Sequence, residues 1–142
     1  MALVVAIVVI VALVGFVFYA IAHEPGPGAP DVAIGYERAW DELEFGLLWD
    51  LSGPELRDGL RRDQFVAAKR AAYSKAEAPA RLGARIAVET SVAGQQSALV
   101  VTRVAAGGGS VLNNVMLDHS ANGWVVVGYA LRPDTEAGPS AS

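Results

Sequence analysis

The chain has 142 residues, 11 basic against 15 acidic, a formal net charge of −4 and no cysteine. The missing cysteine excludes disulfides, thiolate metal sites, a cysteine nucleophile and covalent haem attachment. The nine Arg and two Lys are dispersed, which argues against nucleic acid as a partner, because phosphate binding needs a clustered basic face. Arg, Ala, Gly and Val are abundant while Lys and Asn are few, a bias that suggests a GC-rich bacterial, actinobacterial coding sequence.

Ala2 to Ala22 carry no charge. About 20 residues at roughly 1.5 Å each span a hydrocarbon core of about 30 Å, so residues 1–22 read as one transmembrane helix. The run is dense in β-branched Val and Ile, which weaken a helix in water. In lipid the backbone must satisfy itself, and the helix wins. Phe16, Phe18 and Tyr19 near its C-terminal end suit an aromatic belt at the membrane interface. Ala2 and Ala6 make a small-xxx-small pair, or are two alanines by chance. A cleaved signal peptide is the rival, since Ala20-Ile21-Ala22 resembles a cleavage site. Against it, there is no basic n-region and the apolar run is too long. The first basic residue after the run is Arg38, so basic residues near the helix give no vote on orientation.

Residues 23–30 read as a Pro/Gly linker, too rich in breakers for helix or strand. At about 3.1 Å per residue it reaches only ~25 Å, which keeps the domain near the headgroups. Residues 31–133 form the folded domain and 134–142 a polar tail that frays.

Asp31 is the expected N-cap of the domain's first helix. Val32, Tyr36, Trp40, Leu43 and Leu47 recur at helical steps. Leu48 and Leu51 extend that stripe, and Phe45 and Trp49 open a second one, which predicts a bend near 44–46. Ser52-Gly53-Pro54-Glu55 matches a capping box with Pro in the first turn, so a short helix through Leu60 follows. Asp63 caps another helix with Phe65, Val66, Ala68, Ala72 and Tyr73 on its buried side, ended by Pro79.

From Arg81 the period becomes 2. Leu82, Ala84, Ile86, Val88, Thr90 and Val92 share one face of a half-buried antiparallel strand. Gly94 marks a turn, 98–104 is apolar on both faces as in a central strand, and Gly107-Gly108-Gly109-Ser110 is a loop. Residues 111–120 alternate again, Asn122-Gly123 signals a hairpin, and 124–131 complete a fourth strand. Helices followed by four consecutive antiparallel strands make an α+β domain.

Tyr36-x3-Trp40, the Leu47-Leu48-Trp49-x-Leu51-Ser52 segment before Pro54-Glu55-Leu56-Arg57, Phe65-Val66 and the closing Gly123-Trp124-Val125-Val126-Val127-Gly128-Tyr129 strand resemble the NTF2-like (cystatin-like, SnoaL-type) superfamily over residues 31–132. The resemblance implies a cone of helices packed on a curved four-stranded sheet. It also implies an extracytoplasmic domain with the N-terminus inside. It marks the fold and no particular activity, and no catalytic constellation of its enzymatic relatives aligns here.

His119 is the domain's one histidine, a general base in the cone or an exposed residue beside a turn. Asp118 cannot pair with it, because strand neighbours face opposite ways. Asn113 and Asn114 interrupt an apolar strand, and one of them faces the cone as a ligand donor or marks a bulge. Tyr129 and Arg103 are further polar groups on apolar strands. Asn113, His119 and Tyr129 are the ligand-binding candidates. Asp41, Glu42, Glu44 and Asp50 form an acidic patch without calcium-loop spacing. Arg57, Arg61, Arg62, Lys69 and Arg70 form its basic counterpart, fit for anionic lipid, an acidic partner, or simple balance. The triglycine lacks the lysine and strand–helix setting of a phosphate loop.

No catalytic residues, metal site or cofactor are assigned. The leading expectation is a non-catalytic, membrane-anchored accessory subunit that contacts membrane lipid and other membrane protein subunits, with a respiratory oxidase assembly as one home. The alternative is a cone that binds or transforms an apolar small molecule. A homodimer formed through the exposed sheet face is the third option.

Overall fold

The structure, a computed structural model, describes residues 2–22, 26–74 and 83–132. It is α+β. Helix α1 (Ala2–Ala22) precedes α2 (Ala29–Asp41), α3 (Phe45–Leu51), a 3-10 turn (Pro54–Leu56) and α4 (Arg62–Ser74). Four strands follow: β1 (Arg85–Ala93), β2 (Ser97–Ala106), β3 (Gly109–Ser120) and β4 (Gly123–Arg132). The strands pair antiparallel in the order β1-β2-β3-β4, the meander that the period-2 pattern predicts.

Helix α1 forms over the expected bounds, 21 residues without a charge. It takes no substantial part in packing with the other elements. Counted over the described residues, no helix is long and apolar enough to cross a membrane. In α1 the side chains are described at 4–20 and 22 only, while its backbone helix is about 31 Å long at 1.5 Å per residue.

The domain begins earlier than the sequence suggests. Ala29 and Pro30 lie inside α2, whose N-cap is Gly28. Asp31 is not the cap. It sits in the first turn and accepts the Gly28 N–H at 3.3 Å. Pro in the first turn costs nothing because its missing N–H would be unpaired there. The expected bend is real. Leu43, at φ +56°, ends α2 in a left-handed conformation, and the Glu44 N–H reaches back to the Ala39 carbonyl at 2.8 Å. This break resets the helical phase. Leu48 becomes fully buried at 1% exposure, while Leu47, expected in the stripe, is 43% exposed.

The expected capping box at Ser52 does not form. Its hydroxyl turns back to the Leu48 carbonyl at 2.6 Å, and Gly53 caps a 3-10 turn that stops at Leu56. The Gly53 N–H is taken by the Val126 carbonyl at 2.7 Å, and Ser52 bridges to Val126, so the end of α3 is stitched onto β4. In α4 Phe65 is buried and Val66 half-buried, whereas Ala68, Ala72 and Tyr73 are exposed. The expected stop at Pro79 and the strand start at Arg81 lie outside the described residues.

The sheet bends at two bulges, between Val88 and Thr90 on β1 and opposite Met116–Leu117 on β4. A bulge adds a residue to one strand and increases its local twist. The first ends the alternation on β1. Ile86 and Val88 are half-buried, while Thr90 and Val92, expected on the same inner face, are exposed. Helix α2 packs on β1, β2 and β4, α3 on β4 and on α2, and α4 on α3. The core joins Val32, Tyr36, Phe45, Leu48 and Phe65 to Val100, Val115, Leu117 and Val126. Trp40, Phe45 and Tyr73 add a three-ring cluster with centroids 5.6–6.5 Å apart.

Leu48→Ala should cost about 2–5 kcal/mol through lost burial and a residual cavity. Leu47→Ala should stay within about 0.5 kcal/mol, as exposed sites do. Urea unfolding of the chain in mild detergent, followed by tryptophan fluorescence, checks both. Equal losses would contradict the phase reset at Leu43.

Candidate functional site

Two of the buried polar side chains among the described residues, Thr102 and Asn113, converge on a third, Glu37. Glu37 sits on α2 with 4% exposure. Its Oε1 accepts the Thr102 hydroxyl at 2.6 Å and the Asn113 amide Nδ2 at 2.9 Å. Its Oε2 accepts the Tyr129 hydroxyl at 2.7 Å. Asn113 Nδ2 also donates to the Tyr129 hydroxyl oxygen at 2.8 Å. The donors come from β2, β3 and β4, so one carboxylate ties α2 to three strands. Thr102 and Asn113 are register partners on neighbouring strands, which puts their donors side by side.

Tyr36 lies next to Glu37, and its ring meets that of Tyr129 edge-on at 5.2 Å. Burial pushes the Tyr129 hydroxyl far above the usual phenol range, and the hydrogen bond and negative charge of Glu37 push the same way. Burial also raises Tyr36, opposed by the nearby polar groups of Trp40 and Ser52. The Trp40 indole N–H, close enough to counter part of that shift, completes no hydrogen bond of normal geometry.

Tyr129 and Tyr36 line a half-open cavity of about 230 Å³ together with Trp40, Leu48, Glu55, Leu56, Asp58, Phe65 and Lys69. That is smaller than the roughly 300–1,000 Å³ of ordinary ligand pockets. The Lys69 ammonium stands 5.2 Å from the Phe65 ring centre and 3.7 Å from Asp58. Asp58 is left-handed at φ +56° and precedes Gly59 at φ +68°.

The arrangement holds hydrogen bonds better than it moves protons. A general acid or base works best with a pKa near the operating pH, and Tyr129 is displaced far from it. Glu37 is enclosed, with both oxygens already accepting from the chain itself. Among the described residues no group of three His, Asp or Glu is placed to hold a metal ion.

Of the sequence candidates, Asn113 and Tyr129 meet at the centre of this network. His119 does not join them. It is exposed six residues along β3, about 20 Å away at ~3.4 Å per residue, and packs edge-on against Trp124 with ring centres 4.9 Å apart. Asn114 faces the other side of the sheet, where its Oδ1 is buried without a partner. Arg103 pairs with Glu89 and with the Ser110 hydroxyl. Glu37 and Thr102 are absent from the sequence candidates. The acidic patch is not one site either. Asp41 accepts the Ala84 backbone N–H at 3.3 Å, and Asp50 pairs with Arg62 at 2.9 Å.

No protein-family model matches the chain, and no curated protein does.

Tyr129→Phe removes the donor to Glu37 Oε2 and should cost about 1.5–3 kcal/mol, the range for a hydrogen bond to a charged group. The raised phenols also fix a pH dependence. Below roughly pH 10 folded and unfolded chains both hold these protons and the stability is complete. Above it the unfolded chain releases them first, and stability falls as pH rises. Urea unfolding from pH 8 to 11 should show this loss, and it should be shallower in Tyr129→Phe. A flat profile in the parent chain would contradict the burial of both phenols.

Proposed function

We propose that this chain is a membrane-anchored, non-catalytic accessory subunit, with α1 spanning the bilayer and the domain held against a neighbouring membrane protein on the extracytoplasmic side. One observation carries the reading. Helix α1 presents 21 uncharged residues, with Phe16 and Phe18 each 70% exposed and Val and Ile exposed on every side. Monomeric soluble proteins rarely expose apolar patches beyond about 300–600 Å². A rod apolar all round has lipid or packed protein as its natural surroundings. Phe16, Phe18 and Tyr19 then sit at the end nearest the domain, at headgroup depth.

The domain supports the same reading from the other side. Its buried carboxylate is saturated by three internal donors, so the core spends its polar groups on cohesion. The NTF2-like reading rests on helices gathered on one face of a bulged four-stranded meander. A second reading, a small-ligand cone, draws on the cavity beside Tyr129 and on the unpartnered Trp40 indole N–H.

Two measurements on the native membrane test this. Alkaline carbonate should leave the chain in the membrane pellet. Gentle detergent extraction and pull-down on a C-terminal tag should then recover a membrane protein complex in stoichiometric amount. Release by carbonate would remove the anchor. A lone chain carrying a bound small molecule would favour the cone.

A further inference from the structure

The basic residues Arg57, Arg61, Arg62, Lys69 and Arg70 do not act as one patch. Arg62 donates two hydrogen bonds to Asp50, at 2.9 and 3.2 Å. Arg61 lies 3.7 Å from Asp63, and Lys69 lies 3.7 Å from Asp58. Among the described residues no carboxylate pairs with Arg57. Its guanidinium is nonetheless fixed in place. It lies over the Trp49 ring, its central carbon 3.6 Å from the ring centre, and its Nε donates to the Trp49 carbonyl at 3.3 Å. Its two terminal nitrogens keep their donors. A planar guanidinium held over an indole and by its Nε, with both terminal nitrogens unused among the described residues, suits bidentate recognition of a phosphate.

Arg57 lines a cleft of about 410 Å³ whose other walls include Gly26, Pro27, Gly53, Ser120 and Trp124. Asp50 also borders this cleft, but its carboxylate is engaged by Arg62. Gly26 and Pro27 are the first described residues after α1. Four Cα steps separate Ala22 from Gly26, a reach of at most ~15 Å. The headgroup layer on each side of a bilayer is roughly 5–8 Å deep. Sequence distance therefore keeps the Gly26 end of this cleft within ~15 Å of the end of α1, and the indole of Trp124 among its walls is a side chain that interfacial sites favour.

We propose that this cleft binds the phosphate of an anionic lipid headgroup, with Arg57 as its cation. The proposal rests on α1 being a membrane anchor. The test uses the isotopically labelled full chain in zwitterionic detergent micelles. It is titrated with short-chain phosphatidylglycerol, short-chain phosphatidylcholine or inorganic phosphate, and the Arg57 Nε and the Gly53 and Gly123 amides are followed by NMR. Saturable shifts at these positions with phosphatidylglycerol are expected, with about tenfold weaker binding in Arg57→Gln. Arg70→Gln, an exposed arginine of equal charge, should change binding less than twofold. Equal losses in both variants would reduce the effect to diffuse charge and overturn the site. Inorganic phosphate binding as tightly as the lipid would make the cleft a free-anion site and overturn the lipid assignment. No preference over phosphatidylcholine would overturn the proposal outright. Flotation of the same chain with pure phosphatidylcholine vesicles reads the anchor alone. A chain that floats but shows no anion-dependent shift keeps its anchor and loses the headgroup site.

Discussion

The fold of this domain turns on a carboxylate that is not free to be anywhere else. A carboxyl group in an apolar core costs several kcal/mol unless its lone pairs are filled. Glu37 is filled from three strands at once, by Thr102, Asn113 and Tyr129. Hydrophobic contact alone would let α2 slide or rotate over the sheet at small cost, because apolar surfaces are non-directional. The three donors remove that freedom. Rotating the helix by one residue would leave the carboxylate, an amide and two hydroxyls buried without partners, each worth about 1–3 kcal/mol. The network also fixes strand register, since Thr102 must stand opposite Asn113. The bulge opposite Met116–Leu117 lies between the Leu117–Val126 and Met116–Gly128 pairs, and beyond it Tyr129 still faces inward to Glu37.

The same network decides what chemistry the interior retains. Tyr129 is shared. Its hydroxyl closes the Glu37 cluster and its side chain also lines the small cavity. A hydroxyl committed to a buried carboxylate and displaced far from neutral pH is a structural strut first. The rest of the cavity lining is aromatic and aliphatic, from Tyr36, Trp40, Leu48, Leu56 and Phe65, with the charged side chains Glu55, Asp58 and Lys69, the lysine lying near Asp58.

Much of this architecture is legible from residue patterns, and the failures have physical causes. The four strands follow from period-2 alternation and from turn residues at Gly94, Gly107–Gly109 and Asn122–Gly123. Gly107, Gly108 and Gly123 do adopt positive φ, which explains why those residues punctuate the chain. The bulge near Val88 left no mark in a run that alternates without interruption. Asn113 and Tyr129 stood out as polar residues on apolar strands, and they meet. Glu37 did not stand out because it is flanked by Arg38 and followed by more acids, the look of a solvated face. The signal was nonetheless present. Ala33, Tyr36, Glu37 and Trp40 fall at i, i+3, i+4 and i+7, so the acid stands on the apolar stripe itself. His119 was misleading for the opposite reason. It shares the inner-face parity of Asn113, yet lies at the end of β3, past the reach of the helical layer.

The two halves of the chain solve the problem of apolar surface in different ways. The domain folds its apolar residues onto one another and ties the layers with hydrogen bonds. Helix α1 does neither. Among the described residues none of the core comes from it, and its side chains stay exposed. Only six residues separate Ala22 from the start of α2 at Ala29, a span of at most about 24 Å. Gly28 and Asp31 then set the first turn of α2 without further slack. So short a connection keeps the end of α1 within that distance of the start of α2. The domain is thus self-sufficient in its apolar packing, while among the described residues α1 adds nothing to that core and leaves its own apolar side chains exposed.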